Sequence, residues 1–160
     1  MKNATDSTYE KTIILTDLIL TRTGYIIYPV LLIYLAIKKE PALIEALLVP
    51  GISFILLSIF RYLVNAPRPY EVSGKDPIIK RKGKGKSFPS RHTFSIFVIA
   101  VTVFYFWPVW GIITGVAGAV LATVRVLGGV HYVRDVVAGA AIGIGCGLIG
   151  FYLICPAIGI

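Results

Sequence analysis

Charge is scarce in this chain, and so are histidine and cysteine. Only 15% of its 160 residues are charged, where a soluble domain carries roughly a quarter. With 56% hydrophobic residues and a mean hydropathy of +0.81, that deficit excludes an ordinary soluble domain with a charged surface. The two cysteines, Cys146 and Cys155, fall in one predicted helix and read as small apolar packing residues. At about 1.5 Å rise per residue they stand about 13 Å apart, too far to pair with each other. There is no Cys/His ligand spacing and no carboxylate cluster, so neither a metal nor another cofactor is expected. Residues 1–11 are polar, with lysines mixed among acids, so no cleavable signal peptide is expected. Repeats are absent. A P-loop is also excluded: Gly85, Lys86 and Ser87 mimic its end, but the position that needs an earlier glycine is Lys80, and no strand precedes it.

What the chain has in quantity is apolar sequence. Long apolar stretches cover residues 24–37, 42–60, 93–107, 109–124 and 136–155. A helix crossing a bilayer needs about 20 mostly apolar residues, within a range of about 17–25. The second and fifth stretches meet that length, and the others reach it by borrowing their flanks. The predicted fold is therefore an all-α polytopic membrane bundle, one domain over residues 1–160, with about five spans. Residues 9–22 mix apolar positions with Asp17 and Arg22, which predicts an amphipathic surface helix leading into the first span.

Counting spans in order brings the polar clusters to one side. The first span ends at Lys38, Lys39 and Glu40. The second returns and ends near Arg61, followed on the same side by the polar stretch 65–90. The third begins near His92, turns at Trp107 and Pro108, and the fourth comes back to Arg125. The fifth starts after His131. Gly139, Gly143 and Gly147, and in the fourth span Gly111, Gly115 and Ala119, recur at four-residue spacing. Small residues at this spacing let helices approach closely, which predicts packing inside the bundle.

Both histidines lie in the gathered clusters. His131 and Asp135 are four apart, so at a helix start they share a face and the carboxylate can orient the imidazole. That is the orienting logic of a triad with histidine as the nucleophile. His92 follows Pro89, Ser90 and Arg91 at a predicted helix N-terminus, where unpaired N–H groups favour phosphate; Ser90 also suits an N-cap. His92 in that position reads as a general acid. Arg61, Arg68 and Arg125 supply planar forks for phosphate oxygens. Lys75, Lys80, Arg81, Lys82, Lys84 and Lys86 form a basic loop, read as a solvated face against anionic lipid or as attraction for a phosphorylated headgroup. Being tied to the membrane surface, it is not read as a nucleic-acid site.

These blocks resemble the type 2 phosphatidic acid phosphatase (PAP2) superfamily. Its pattern is a lysine, six residues, Arg-Pro; then Pro-Ser-Gly-His; then Ser-Arg, five residues, His, three residues, Asp. Here Arg61, six residues and Arg68–Pro69 are followed by Pro89, Ser90, Arg91 and His92, then by Arg125, five residues, His131, three residues and Asp135. The order and spacing match across roughly half of the chain. Three positions depart: Arg61 stands for lysine, Arg91 for glycine and Val124 for serine. The resemblance implies a lipid phosphatase in which His131 forms a phosphohistidine, Asp135 orients it and His92 moves the proton. It implies phosphate contacts from Arg61, Arg68, Ser90, Arg91 and Arg125. The implied partners are the bilayer and a phosphorylated lipid: an isoprenyl pyrophosphate such as undecaprenyl pyrophosphate first, then phosphatidylglycerol phosphate or phosphatidic acid.

Two rival readings share these residues. One is a lipid phosphotransferase using the same phosphohistidine, and the other a non-catalytic anion-binding transporter. Polar residues gathered at one surface rather than at mid-membrane depth count against the transporter. Nine Lys and Arg from Arg61 to Arg91 direct that surface to the cytoplasm by the positive-inside rule, whereas the resemblance implies an outward face; the sequence leaves the side open.

Overall fold

The computed structural model describes residues 4–81 and 83–159; Lys82 of the basic loop and residues 1–3 of the polar start lie outside them. Among the described residues every regular element is helical: α1 (Ala4–Lys38), α2 (Leu43–Val64), α3 (Pro69–Ser73), α4 (Arg91–Phe106), α5 (Pro108–Leu127), α6 (Val133–Ile149) and α7 (Cys155–Ile158). A π-helical turn, Gly150–Ile154, joins the last two.

The stretch expected as a separate surface helix is the first half of α1, running unbroken into the span. No glycine or proline interrupts the chain before Gly24, so nothing in the sequence ends the helix there. Its 35 residues are about 52 Å long at 1.5 Å per residue, well beyond a hydrocarbon layer of about 30 Å. The surplus lies against the rest of the protein, where Ile13 is buried with Ile79, Val124 and Val130.

Helices within Ser7–Lys38, Leu43–Ser73, Pro108–Leu127 and Val133–Ile158 are long and apolar enough to cross a bilayer. The remaining expected span, α4, has only 16 residues. Pro89 and Ser90 bound it at one end and Trp107 with Pro108 at the other, and it lies between α5 and α6 rather than facing lipid alone. Outer faces carry large apolar side chains: Tyr25, Ile37 and Leu63 are each more than 70% exposed. Such a surface suits acyl chains, since leaving it in water costs about 25 cal/mol per Å².

The glycine rhythm packs the bundle internally. A Cβ at Gly139 would lie 2.6 Å from the Ser90 carbonyl oxygen, and one at Gly143 2.6 Å from that of Phe94. Along α5, a Cβ at Gly111 would meet the Phe104 backbone at 2.3 Å. Only glycine permits these approaches, so α4 is clamped between its two neighbours. The clamp fixes the height of the α4 N-terminus relative to α6, and with it the polar end of the bundle. At the opposite end Leu31, Leu35, Ala46 and Val103 form an apolar cluster, and Tyr34 meets Trp107 edge to face at 5.1 Å.

Candidate active site

The three clusters meet where α2, α4, α5 and α6 have their polar ends. α2 stops just past Arg61: Asn65 takes a left-handed conformation and donates its N–H to the Arg61 carbonyl at 3.1 Å. Arg68 then caps the five-residue α3, whose Pro69 supplies the fixed φ of a first turn. Both arginines are almost wholly buried, and both are held by backbone carbonyls of the loop that follows. Arg61 donates to Ser87 O at 3.3 Å and to Lys86 O; Arg68 donates to Gly85 O at 3.0 Å and Lys86 O at 3.3 Å. From its other side Arg68 donates to Val130 O at 3.0 Å, and its Nη1 stands 3.5 Å from His131 Nε2.

The basic loop is thus not simply a solvated face. Glu71 accepts the Gly85 N–H at 2.7 Å, and Ser87 donates its N–H to Ala66 O at 2.9 Å. Gly85 has φ +67°, a left-handed conformation that favours glycine at this point of the fold-back. Carbonyl oxygens turn inward to the arginines while Lys80, Lys84 and Lys86 stay exposed. Arg81 also turns inward. One of its terminal nitrogens lies 3.1 Å from Nδ1 and 3.3 Å from Nε2 of His92. A nitrogen so close to both lies over the ring face, in line with neither lone pair.

His131 and Asp135 face each other as their spacing predicts, Nδ1 to Oδ2 at 3.4 Å. The same carboxylate oxygen accepts the Ser87 hydroxyl at 2.5 Å and the Tyr132 N–H at 3.1 Å. Asp135 therefore also closes the first turn of α6 by reaching back to the residue before it. Ser87 Oγ is 3.4 Å from His131 Nδ1. With Nδ1 turned to Asp135 and Ser87, Nε2 is left on the Arg68 side.

At the α4 start, Ser90 has the extended backbone of an N-cap but its side chain caps nothing; its Oγ accepts the Thr93 hydroxyl at 3.0 Å. Its N–H donates to Asp135 O at 2.8 Å, tying α4 to α6. Arg91 points outward, its guanidinium 5.7 Å from the Phe54 ring centroid. Arg125 ends α5 and is buried. Its Nε pairs with Asp17 Oδ1 of α1 at 2.6 Å, and Nη2 donates to Thr21 Oγ1 at 3.0 Å.

Sequence reasoning missed four contributors: Ser87, Arg81, Asp17 and Thr21. Asp17 carried a usable signal, because a carboxylate in an apolar helix of a membrane protein usually has a named partner. Below His92 opens a groove of about 400 Å³ between α1, α2, α4 and α5, lined by Gly24, Tyr28, Gly51, Phe54, Ile96 and Leu121 among others.

Burial pushes His131 down to about 4, aided by Arg68 and Arg61 and opposed by its bond to Asp135. The free protein should therefore hold a neutral His131 at pH 7, and the ring should gain a proton only as pH falls through about 4. An imidazole ¹⁵N titration should find this midpoint well below the unperturbed value near 6.5. With two histidines in the chain, His92→Gln assigns the signals; a His131 midpoint at 6 or above would contradict the buried site.

A helical bundle with a lipid-facing exterior and a buried cluster of arginine, histidine and aspartate at one end defines a class: membrane proteins that handle phosphate at the bilayer surface. Residues 42–156 match the PAP2 superfamily, and the chain belongs to it, the superfamily whose phosphatases hydrolyse lipid phosphates. It is 30% identical over 121 residues to an undecaprenyl-diphosphatase of Sulfolobus acidocaldarius, an alignment covering 74% of this chain and 59% of that protein. LpxE of Aquifex aeolicus superposes with a TM-score of 0.69 at 25% identity, over 93% of this chain and 96% of its own. The PAP2-type phosphatidylglycerolphosphate phosphatase of Bacillus subtilis superposes at 0.65 over 93% and 85%; at 23% identity it supports the fold alone. The chain is a multi-pass membrane protein.

Proposed function

We propose that this protein is a metal-independent membrane lipid phosphatase that works through a phosphohistidine on His131 and takes an isoprenyl pyrophosphate, such as undecaprenyl pyrophosphate, in preference to phosphatidylglycerol phosphate or phosphatidic acid. One observation carries the mechanism: His131 has Nδ1 on Asp135 and Nε2 on the side of Arg68. With the Nδ1 proton directed at the carboxylate, the Nε2 lone pair is the nucleophile. It attacks phosphorus while Arg61, Arg68 and Arg125 hold the phosphate oxygens, with Ser90 and Arg91 at the α4 N-terminus beside them. The Nε2–P bond forms, the bond to the leaving oxygen breaks, and His92 gives that oxygen its proton. A water then attacks the phosphorus, His92 takes its proton, and the Nε2–P bond breaks to release phosphate.

Support for the substrate order comes from the name of the Sulfolobus relative and from the groove below His92, whose apolar lining suits a long hydrocarbon chain. Support for a metal-free route is the residue inventory: among the described residues no three His, Cys, Asp or Glu side chains gather into a ligand set. The guanidinium groups of Arg61, Arg68 and Arg125, with Arg91 beside them, supply the positive charge that a cation otherwise brings to phosphoryl transfer.

The test is rapid quench of the purified protein with ³²P-labelled substrates in EDTA. Label should appear on the protein, survive alkali and be lost in acid, as a phosphoramidate does, and EDTA should leave phosphate release unchanged. Acid-stable label, or release that EDTA stops, would overturn the reading.

A further inference from the structure

Once Arg61, Arg68 and Arg125 hold the attacked phosphate, Arg81, Arg91 at that phosphate's edge and a groove are left to account for. Arg81 comes from the loop and lies over the ring of His92. Arg91 precedes His92, and its guanidinium lies over Phe54. Arg91, whose side chain is exposed, lines the groove with His92 and Phe54, and Arg81 meets that lining at His92.

We propose that Arg81 and Arg91 form a second phosphate subsite beside His92, built for the inner phosphate of a prenyl diphosphate whose terminal phosphate is attacked at His131. The proposal rests on the phosphatase reading above and specifies its substrate class.

Charge bookkeeping is the first support. Near these two groups the acids are already committed: Asp17 to Arg125, Glu71 to the Gly85 N–H, Asp135 to Ser87, Tyr132 and His131. Among the described residues neither Arg81 nor Arg91 has a carboxylate within ion-pair distance. Burial, then Arg125, Arg68 and Arg91, push Arg81 down to about 10, so this guanidinium is held in place against both desolvation and like charge. A multiply charged anion relieves both costs at once.

Geometry is the second support. Arg91 and His92 line the groove, Arg81 lies over the His92 ring, and Arg68 stands beside His131. A prenyl diphosphate laid across these groups has its chain in the groove, its inner phosphate at Arg81 and Arg91, its bridging oxygen at His92 and its terminal phosphate at His131. Attack by His131 Nε2 on the terminal phosphorus breaks its bond to the bridging oxygen, which takes the His92 proton and leaves as the prenyl monophosphate. A monophosphate ester in the same pose puts its chain oxygen at His92 and leaves Arg81 and Arg91 without an anion. At Gly24 and Gly51, both in the groove lining, a Cβ would meet nothing within 4 Å, so the chain seat is open there.

The experiment compares kcat/KM for farnesyl diphosphate and farnesyl monophosphate in the wild type, Arg81→Ala, Arg81→Lys and Arg91→Gly, the last restoring the superfamily's usual residue. The diphosphate-to-monophosphate ratio should fall about tenfold in Arg81→Ala and in Arg91→Gly, and less in Arg81→Lys, the loss expected for charge-assisted contacts to one phosphate. Inorganic pyrophosphate should inhibit the wild type at least about tenfold more tightly than inorganic phosphate, a readout that needs no variant to fold. Ratios within about threefold of wild type in both variants, or equal inhibition by the two anions, would overturn the subsite while leaving the phosphatase reading intact. Failure of the wild type to release phosphate from either ester would take both down.

Discussion

Alanine at His131 is expected to remove phosphate release, by at least about 10⁴-fold in kcat, with no phosphoenzyme trapped on any substrate. The imidazole is the attacking group in the proposed route, and no neighbour can replace it: Ser87 Oγ reaches Asp135 and lies on the Nδ1 side of the ring, not the Nε2 side that attacks. Asp135→Asn should cost about 10²–10⁴-fold, because an amide facing Nδ1 no longer holds the tautomer that frees Nε2. Combined with His131→Ala it should cost almost nothing further, since the two act as one unit. The fold should tolerate the His131 change. Asp135 would keep Ser87 and the Tyr132 N–H, and Ser90 would keep its bond to the Asp135 carbonyl. Phosphate release and thermal midpoint measured together decide the matter; release within about tenfold of wild type from a folded His131→Ala protein would sink the covalent mechanism.

How much of this was legible in the sequence depends on the distance over which each contact acts. His131 and Asp135 are one helical turn apart, so a local rule finds their contact. The meeting of the three clusters follows from span counting, because a membrane crossing fixes the side of whatever flanks it. Arg125 with Thr21 is different: the two are 104 positions apart, and only the register of α1 against α5 brings them together. The loop behaves similarly. Its lysines set its apparent character, but its structural work is done by carbonyls of Gly85, Lys86 and Ser87, which have no signature in a side-chain pattern. Ser87 lies in a tripeptide that mimics the end of a P-loop, yet its hydroxyl reaches the Asp135 carboxylate. Arg81 was hidden in a lysine-rich stretch, and only the fold-back sets it against His92 while Lys80, Lys84 and Lys86 stay exposed. Ser90 was the opposite case: the sequence offered capping as its role, and the folded chain gives its hydroxyl to Thr93 instead.

His92→Gln should separate the two halves of the reaction. The proposed role uses this ring twice, first to protonate the leaving oxygen and then to take a proton from water. Loss of a general acid or base costs about 10²–10⁴-fold, but only in a step that needs proton transfer. A lipid alcohol leaves poorly, so a lipid monophosphate should show the full loss in the first step. p-Nitrophenyl phosphate leaves as a stable anion and needs no proton, so its first step should slow by less than about tenfold. Its second step still lacks a base and should remain slow by about 10²–10⁴-fold. The variant should therefore give a burst of nitrophenolate close to one per enzyme, then slow turnover, and a phosphorylated His131 that accumulates where the wild type holds little. Glutamine keeps a polar group against Arg81, so the site should not collapse around the change. A variant without a burst, slowed equally on the lipid and on p-nitrophenyl phosphate, would mean that His92 only positions the phosphate. The proton would then have to come from another group, and Arg81, the side chain lying over that ring, could not supply it because a guanidinium does not titrate near neutral pH.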